Sequence, residues 1–159
     1  MRPGQILVAD HGGVYVIKMV GDVRLTLCVS FDQFIDTMFN RDDFCEVMFD
    51  LSDAEAIDST TLGLMAKIAL QGREQRGITP VVYSTNDSIN RLLHTMGFQE
   101  IFTIVDQLEP PVAPDQPLPA VAEEQEVKEK VVEAHKILMG LNQENRETFR
   151  NLVKMLEQR

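Results

Sequence analysis

Apolar residues fall in short runs before residue 110 and in a helical stripe after residue 120. Ile6–Ala9 and Val14–Val20 flank Asp10-His11-Gly12-Gly13, and two apolar runs joined by a glycine-rich turn predict a β-hairpin. Phe31, Phe34, Ile35, Met38 and Phe39 share one face at helical spacing. Val47–Leu51 is a compact apolar run of the kind expected for a central strand covered on both faces. Leu62, Met65, Ala66, Ala69 and Leu70 return to the helical spacing and stop near Gly72–Gly77. Pro80–Ser84 predicts a fourth strand. Ile89, Leu92, Leu93 and Met96 predict a third helix closed by Gly97, and Ile101–Val105 a fifth strand. The order β-β-α-β-α-β-α-β predicts an α/β domain with a mixed sheet, its hairpin antiparallel and its later strands parallel.

Proline then divides the chain. Five of its seven prolines are Pro110, Pro111, Pro114, Pro117 and Pro119. Each lacks an amide donor and fixes φ, so Glu109–Ala120 is expected to be an extended linker. The expected organisation is a domain over 1–108, the linker over 109–120 and a helical extension over 121–159. In the extension Val127, Val131, Ala134, Leu138, Leu141, Asn145, Thr148, Leu152 and Met155 alternate by four and three, a heptad seam with one polar member. Gly140 interrupts it at a helix cost of about 1 kcal/mol. One long helix packed on a partner or a second copy fits this pattern. So do two helices broken at Gly140-Leu141-Asn142 and folded back on their own domain.

Charge and cysteine content exclude several classes. The chain carries 25 acids and 15 bases, net −10, and residues 1–119 hold 17 of those acids against 8 bases. Nucleic-acid binding needs clustered Lys and Arg at phosphates, and this balance argues against it. Cys28 and Cys45 are too few for a disulfide scaffold and lack CxxC spacing. Both lie among apolar neighbours, so both are expected to be buried, inert thiols. No signal-peptide core follows Met1, and no apolar stretch approaches the ~20 residues of a membrane span. A soluble cytoplasmic protein of a reducing compartment is expected.

A search for catalysis finds little. His11, His94 and His135 are not paired at ligand spacing, and no metal set, GxSxG, Walker loop or GxGxxG is present. Asp42-Asp43 and Asp50/Asp53 are acid pairs of the kind usually solvated. No cofactor and no catalytic residue are indicated. A small hydrolase or nucleotide-binding enzyme fits poorly, lacking a phosphate-cradling glycine loop and a base near Ser59.

The segment from Asp50 through Ile57-Asp58-Ser59-Thr60-Thr61-Leu62-Gly63 stands apart. A strand ends, an acidic stretch follows, and hydroxyl residues open a helix. Asp and Ser there ordinarily cap free backbone amides. The same amides and dipole welcome an anion, so the fold would tolerate a phosphate on Ser59. That phosphate adds about −1.5 to −2 charges beside Asp53, Glu55 and Asp58, and a docking partner would meet new bulk and repulsion.

Ile57–Gly63 resembles the phosphorylation motif of STAS-domain anti-sigma factor antagonists, commonly Asp-Ser-Ser/Thr-Gly-Leu-Gly. Gly21-Asp22-Val23 is similar to the family's Gly-Glu/Asp-aliphatic step after the second strand. Arg91-Leu92-Leu93, Met96-Gly97-Phe98 and Ile101-Phe102 resemble its later signature. The resemblance covers roughly residues 5–108 and implies a binding module without catalysis. Unphosphorylated, it would hold an anti-sigma factor or switch partner. A GHKL-type serine kinase would end that binding and a PP2C-like phosphatase restore it, in motility, biofilm or stress regulation. Carried over, Ser59 is the phospho-acceptor with Thr60 as the alternative, and Asp58 orients it. Asp22, Arg24, Asp58, Ser59, Thr60, Thr61 and Leu62 form the partner-binding set. The C-terminal helix could serve a further signalling protein. Thr61 stands where Gly is usual, and Arg24 where many members carry Asp. The competing expectation is a constitutive STAS subunit of a transporter or lipid-transport complex, in which Ser59 and Thr60 only cap the helix.

Overall fold

The computed structural model describes residues 2–108, 110–120 and 123–158. Glu109, where the linker was expected to begin, and Val121, where the extension was, lie outside the described residues. The element order before the linker is the predicted one. Strands β1 (Gln5–His11) and β2 (Val14–Val23) form the antiparallel hairpin, turning on Gly12 and Gly13 at φ 58° and 90°. Such positive φ values cost glycine little. Helix α1 (Cys28–Phe39), strand β3 (Glu46–Ile57), helix α2 (Ser59–Arg76), strand β4 (Val81–Tyr83), helix α3 (Asp87–Thr95) and strand β5 (Thr103–Val105) follow. The β2–β3, β3–β4 and β4–β5 pairs are all parallel.

The sheet runs β5-β4-β3-β2-β1-β6. β6 is Gln116–Pro117, inside the proline-rich stretch. This stretch is extended as proline demands, but it is also strapped to the domain. It pairs antiparallel with Leu7 and Val8, and the Leu118 amide donates to the Ile6 carbonyl at 2.9 Å. The Ser30 hydroxyl of α1 donates to the Pro119 carbonyl. The edge of β1 that an all-α/β pattern leaves open is thereby covered.

β3 corrects one expectation. Val47, Phe49 and Leu51 are buried while Met48, Asp50 and Ser52 are half-exposed, so one face meets the helices and the other does not share that cover. The apolar run read as two-sided burial because Met48 is apolar on the open face. Cys45 is a second correction. Cys28 is buried and its thiol pushed up to about 11 by desolvation, whereas Cys45, just before β3, is exposed.

After the linker the chain forms α4 (Glu124–Met139) and α5 (Gln143–Glu157), broken at Gly140-Leu141-Asn142 and folded back on the domain. Of the two arrangements left open, this is the helical hairpin. The Asn142 side chain caps α5 by accepting from the Asn145 amide at 2.7 Å. The buried Asn145 amide group then donates to the Met96 and Leu138 carbonyls, both at 2.9 Å. The heptad seam holds along α4, where Ala134 and Leu138 are fully buried. It fails along α5, whose buried face is Asn145, Phe149 and Val153, leaving Thr148, Leu152 and Met155 exposed. The break at Gly140 resets the helical phase, which a seam drawn through both helices ignores.

Among the described residues, no helix is long and apolar enough to cross a membrane.

Candidate functional site: the start of α2 under the C-terminal hairpin

Asp58 is the N-cap of α2. Its carboxylate accepts from the Thr61 amide at 2.9 Å, and its backbone amide donates to the Val23 carbonyl at 3.1 Å. The second bond ties the end of β2 to the start of α2. It brings Asp22 and Arg24 to the same edge as Asp58, around a surface depression that also includes Leu25 and Ile57. Arg24 donates to Asp22 at 2.6 Å. The charge that differs from the family pattern is therefore spent on its own neighbour.

α2 continues for 18 residues to a left-handed Gly77. Its first turns are buried on almost every side, because the sheet lies beneath them and α4 above. Leu62, Leu64 and Met65 fill the sheet side. Gly63 faces α4, and a Cβ placed there would stand 2.3 Å from the Ala134 carbonyl oxygen. The two helices approach this closely only because one residue lacks a side chain and the other is alanine.

An ion cluster fixes the same packing. Asp32 of α1, with its side chain 4% exposed, accepts from Lys67 of α2 and pairs with Lys130 of α4, each at 2.7 Å. Burial pushes the Asp32 carboxyl up, but the hydrogen bonds from Lys130 and Lys67 outweigh it and hold the group below the usual carboxylate range. For Lys130 the bond to Asp32 dominates and raises it. For Lys67 desolvation opposes the raising effect of Asp32 without overcoming it.

The partner-binding set divides by burial. Asp22, Asp58 and Ser59 are half-exposed and Arg24 is exposed. Thr60 is 2% exposed, Thr61 1% and Leu62 0%. Thr61, in the position where the family carries Gly, has its hydroxyl buried without a hydrogen-bond partner among the described residues. The acid pairs have ordinary roles: Asp50 accepts from Ser52, Asp53 pairs with Lys18 and Asp43 with Arg41.

One residue of this site was not foreseen. The expectation that no base stands near Ser59 is overturned by His135, which α4 delivers from 76 residues away. Its Nε2 lies 2.7 Å from Ser59 Oγ and its Nδ1 2.6 Å from the Val131 carbonyl. The ring is 2% exposed and meets Phe149 edge-on, with centroids 4.9 Å apart. A carbonyl only accepts, so Nδ1 carries a proton. In the neutral ring Nε2 then accepts the Ser59 hydroxyl proton. The sequence signal that could have found it is the set of small residues Thr60, Gly63 and Ala66 along α2, which leaves room for a close neighbour.

Beside this pair opens a groove of about 580 Å³ between α4, the end of α5 and the turn at Leu25. Among the described residues, the large apolar ones that stand exposed, Leu25, Leu152 and Met155, all line it.

The fold agrees with what comparison finds. The STAS domain family model matches residues 5–110, and the chain belongs to that family. Its structure is similar to that of an anti-sigma factor antagonist from Mycobacterium paratuberculosis. The TM-score is 0.55 at 23% identity, covering 67% of this chain and 88% of that one. At that identity the likeness concerns the fold. No curated protein sequence matches the chain.

Proposed function

We propose that this chain is an anti-sigma factor antagonist whose grip on its partner is switched by phosphorylation of Ser59. The observation that carries this is the position of Ser59. It is the first residue of α2, half-exposed, and follows Asp58, which lines the depression shared with Asp22 and Arg24. A phosphate there meets helix amides and a favourable dipole, so the fold accepts it. The same group places about two negative charges on the edge a partner must touch. The similar solved structure, that of an anti-sigma factor antagonist, supports the partner class. Thr60 is buried beneath α4, which favours Ser59 as the acceptor.

In this scheme the unmodified chain holds an anti-sigma factor and frees a sigma factor, as in motility, biofilm or stress control. A GHKL-type serine kinase ends the binding and a PP2C-like phosphatase restores it. The test is affinity capture from the native cells with Ser59→Asp and Ser59→Ala chains, followed by mass spectrometry. The Ala chain is expected to retain an anti-sigma factor that the Asp chain loses. Equal capture by both overturns the switch and assigns the chain to the constitutive subunits, in a transporter or lipid-transport complex.

A further inference from the structure

We infer that Ser59 and His135 form an activated hydroxyl–imidazole pair, in which His135 takes the Ser59 proton as a phosphoryl group arrives. The acceptor chain thus carries its own general base. The phosphorylation role rests on Ser59 being the acceptor; the pair itself does not.

Three observations carry the inference. The first is geometry. At 2.7 Å, Nε2 is within the reach required of a general base, and the Val131 carbonyl holds Nδ1 as the protonated nitrogen. This is the arrangement of an activated nucleophile, with a carbonyl as the orienting third group. The second is rigidity. His135 stands on a helix locked to α2 by the Gly63–Ala134 contact and by Asp32 with Lys67 and Lys130. Displacing the hairpin to bare Ser59 would expose Ala134, Leu138, Phe149 and Val153, all buried. A kinase therefore meets Ser59 with His135 in place, not after removing it. The third is access. Ser59 is half-exposed and opens onto the groove lined by Lys128 and Val131, so a phosphoryl group has a route that leaves the imidazole where it is.

Ser59 Oγ forms a bond to the γ-phosphorus of a kinase-bound nucleoside triphosphate. The bond from that phosphorus to the bridging oxygen breaks, and its electron pair leaves with the diphosphate. The hydroxyl proton passes to His135 Nε2. The resulting imidazolium stands against the new phosphate and stabilises the product through a charge-assisted hydrogen bond.

The pair can be tested without the kinase. A small fluorophosphonate is attacked by an activated serine: the Oγ–P bond forms, fluoride leaves, and the proton goes to Nε2. The full chain is incubated with this reagent and labelling is followed by peptide mass spectrometry. Ser88, exposed at the start of α3, serves as internal reference. Ser59 is expected to label at least ~10²-fold faster than Ser88, the low end of general-base contributions. In His135→Gln, which keeps an amide near Ser59 but takes no proton, the rate should fall to that of Ser88. Equal labelling of Ser59 and Ser88, or an undiminished rate in His135→Gln, overturns the pair.

Ser59→Cys serves should His135→Gln fail to fold. Next to the imidazole, the introduced thiol should react with iodoacetamide faster than exposed Cys45; a rate no faster than that of Cys45 overturns the proposal. Failure of the switch looks different. Fast labelling in a chain that carries no phosphate in its native cells removes the switch and upholds the pair.

Discussion

Two helices of this protein begin almost alike. α2 starts Asp58-Ser59-Thr60 and α3 starts Asn86-Asp87-Ser88. Each has an Asx N-cap, with Asp58 accepting from the Thr61 amide and Asn86 from the Ser88 and Ile89 amides. Each offers a serine in its first turn. Only the surroundings differ. Ser88 faces solvent, while Ser59 faces an imidazole delivered by a helix far along the chain. Local capping chemistry therefore does not distinguish a site from a helix start. What distinguishes them is the hairpin.

The largest effect is expected where the hairpin is anchored. Asp32→Ala removes the buried carboxylate and leaves Lys67 and Lys130 with only the more exposed Glu133, at 3.2 and 4.0 Å. Losing one partner of a buried ionic group costs about 3–5 kcal/mol, and the lower end applies because both lysine stems reach solvent. Urea unfolding at neutral pH should show this loss. The wild type should show its counterpart in acid. The Asp32 carboxyl lies below its ordinary value when folded, so its contribution is present above about pH 4, its unfolded range. It is lost as the pH falls from there through the folded value. In Asp32→Ala that part of the acid destabilisation should be missing.

Gly63→Ala is next. Its Cβ would stand 2.3 Å from a backbone oxygen, which cannot rotate away. Overpacking of this kind costs about 1–3 kcal/mol, against which alanine recovers up to ~1 kcal/mol of helix propensity. A net loss in chemical denaturation is expected. A gain would mean that α2 and α4 are less closely joined than the Gly63–Ala134 contact demands. Neither effect has an equivalent at α3, which no hairpin helix crosses in this way.

These differences mark what was legible in the sequence. Hydrophobic periodicity located the hairpin strands, the three domain helices and the glycine ends, because those depend on neighbours within a few residues. The Asp58-Ser59 motif was equally local. Three features were not. The strand at Gln116–Pro117 exists because β1 offers an unpaired edge, and nothing in a proline-rich stretch announces such a pairing. The α5 face could not be phased through a break whose geometry depends on Asn142 and Asn145 finding their acceptors. His135 looked like any histidine on an amphipathic helix. Its place against Ser59 follows from the register of two helices 76 residues apart, which Gly63 and Ala134 set jointly.

The serines themselves give a smaller effect. Ser59→Ala removes the partner of a buried imidazole nitrogen, and an unsatisfied buried polar group costs about 1–3 kcal/mol. Because Ser59 is half-exposed and solvent can approach, about 1 kcal/mol is expected. Ser88→Ala removes an exposed hydroxyl and should stay within about 0.5 kcal/mol of wild type. Thermal unfolding of the two variants side by side measures the contrast. Equal stabilities would mean that His135 gains nothing from the serine.

The smallest difference is expected at the caps, where the two helices should behave alike. Asp58→Ala and Asn86→Ala each remove an N-cap acceptor, at a cost of about 1 kcal/mol. Their stabilities should agree within a few tenths. Their consequences for the serines should not. Without the Asp58 carboxylate on the Thr61 amide, the first turn of α2 frays and Ser59 Oγ leaves its position opposite His135. Fluorophosphonate labelling of Ser59 should then fall towards that of Ser88, although the hairpin and His135 are untouched. In Asn86→Ala the labelling of Ser59 should not change. If Asp58→Ala retains fast labelling, the hold of α4 alone positions Ser59, and the cap contributes to stability at both helix starts in the same way.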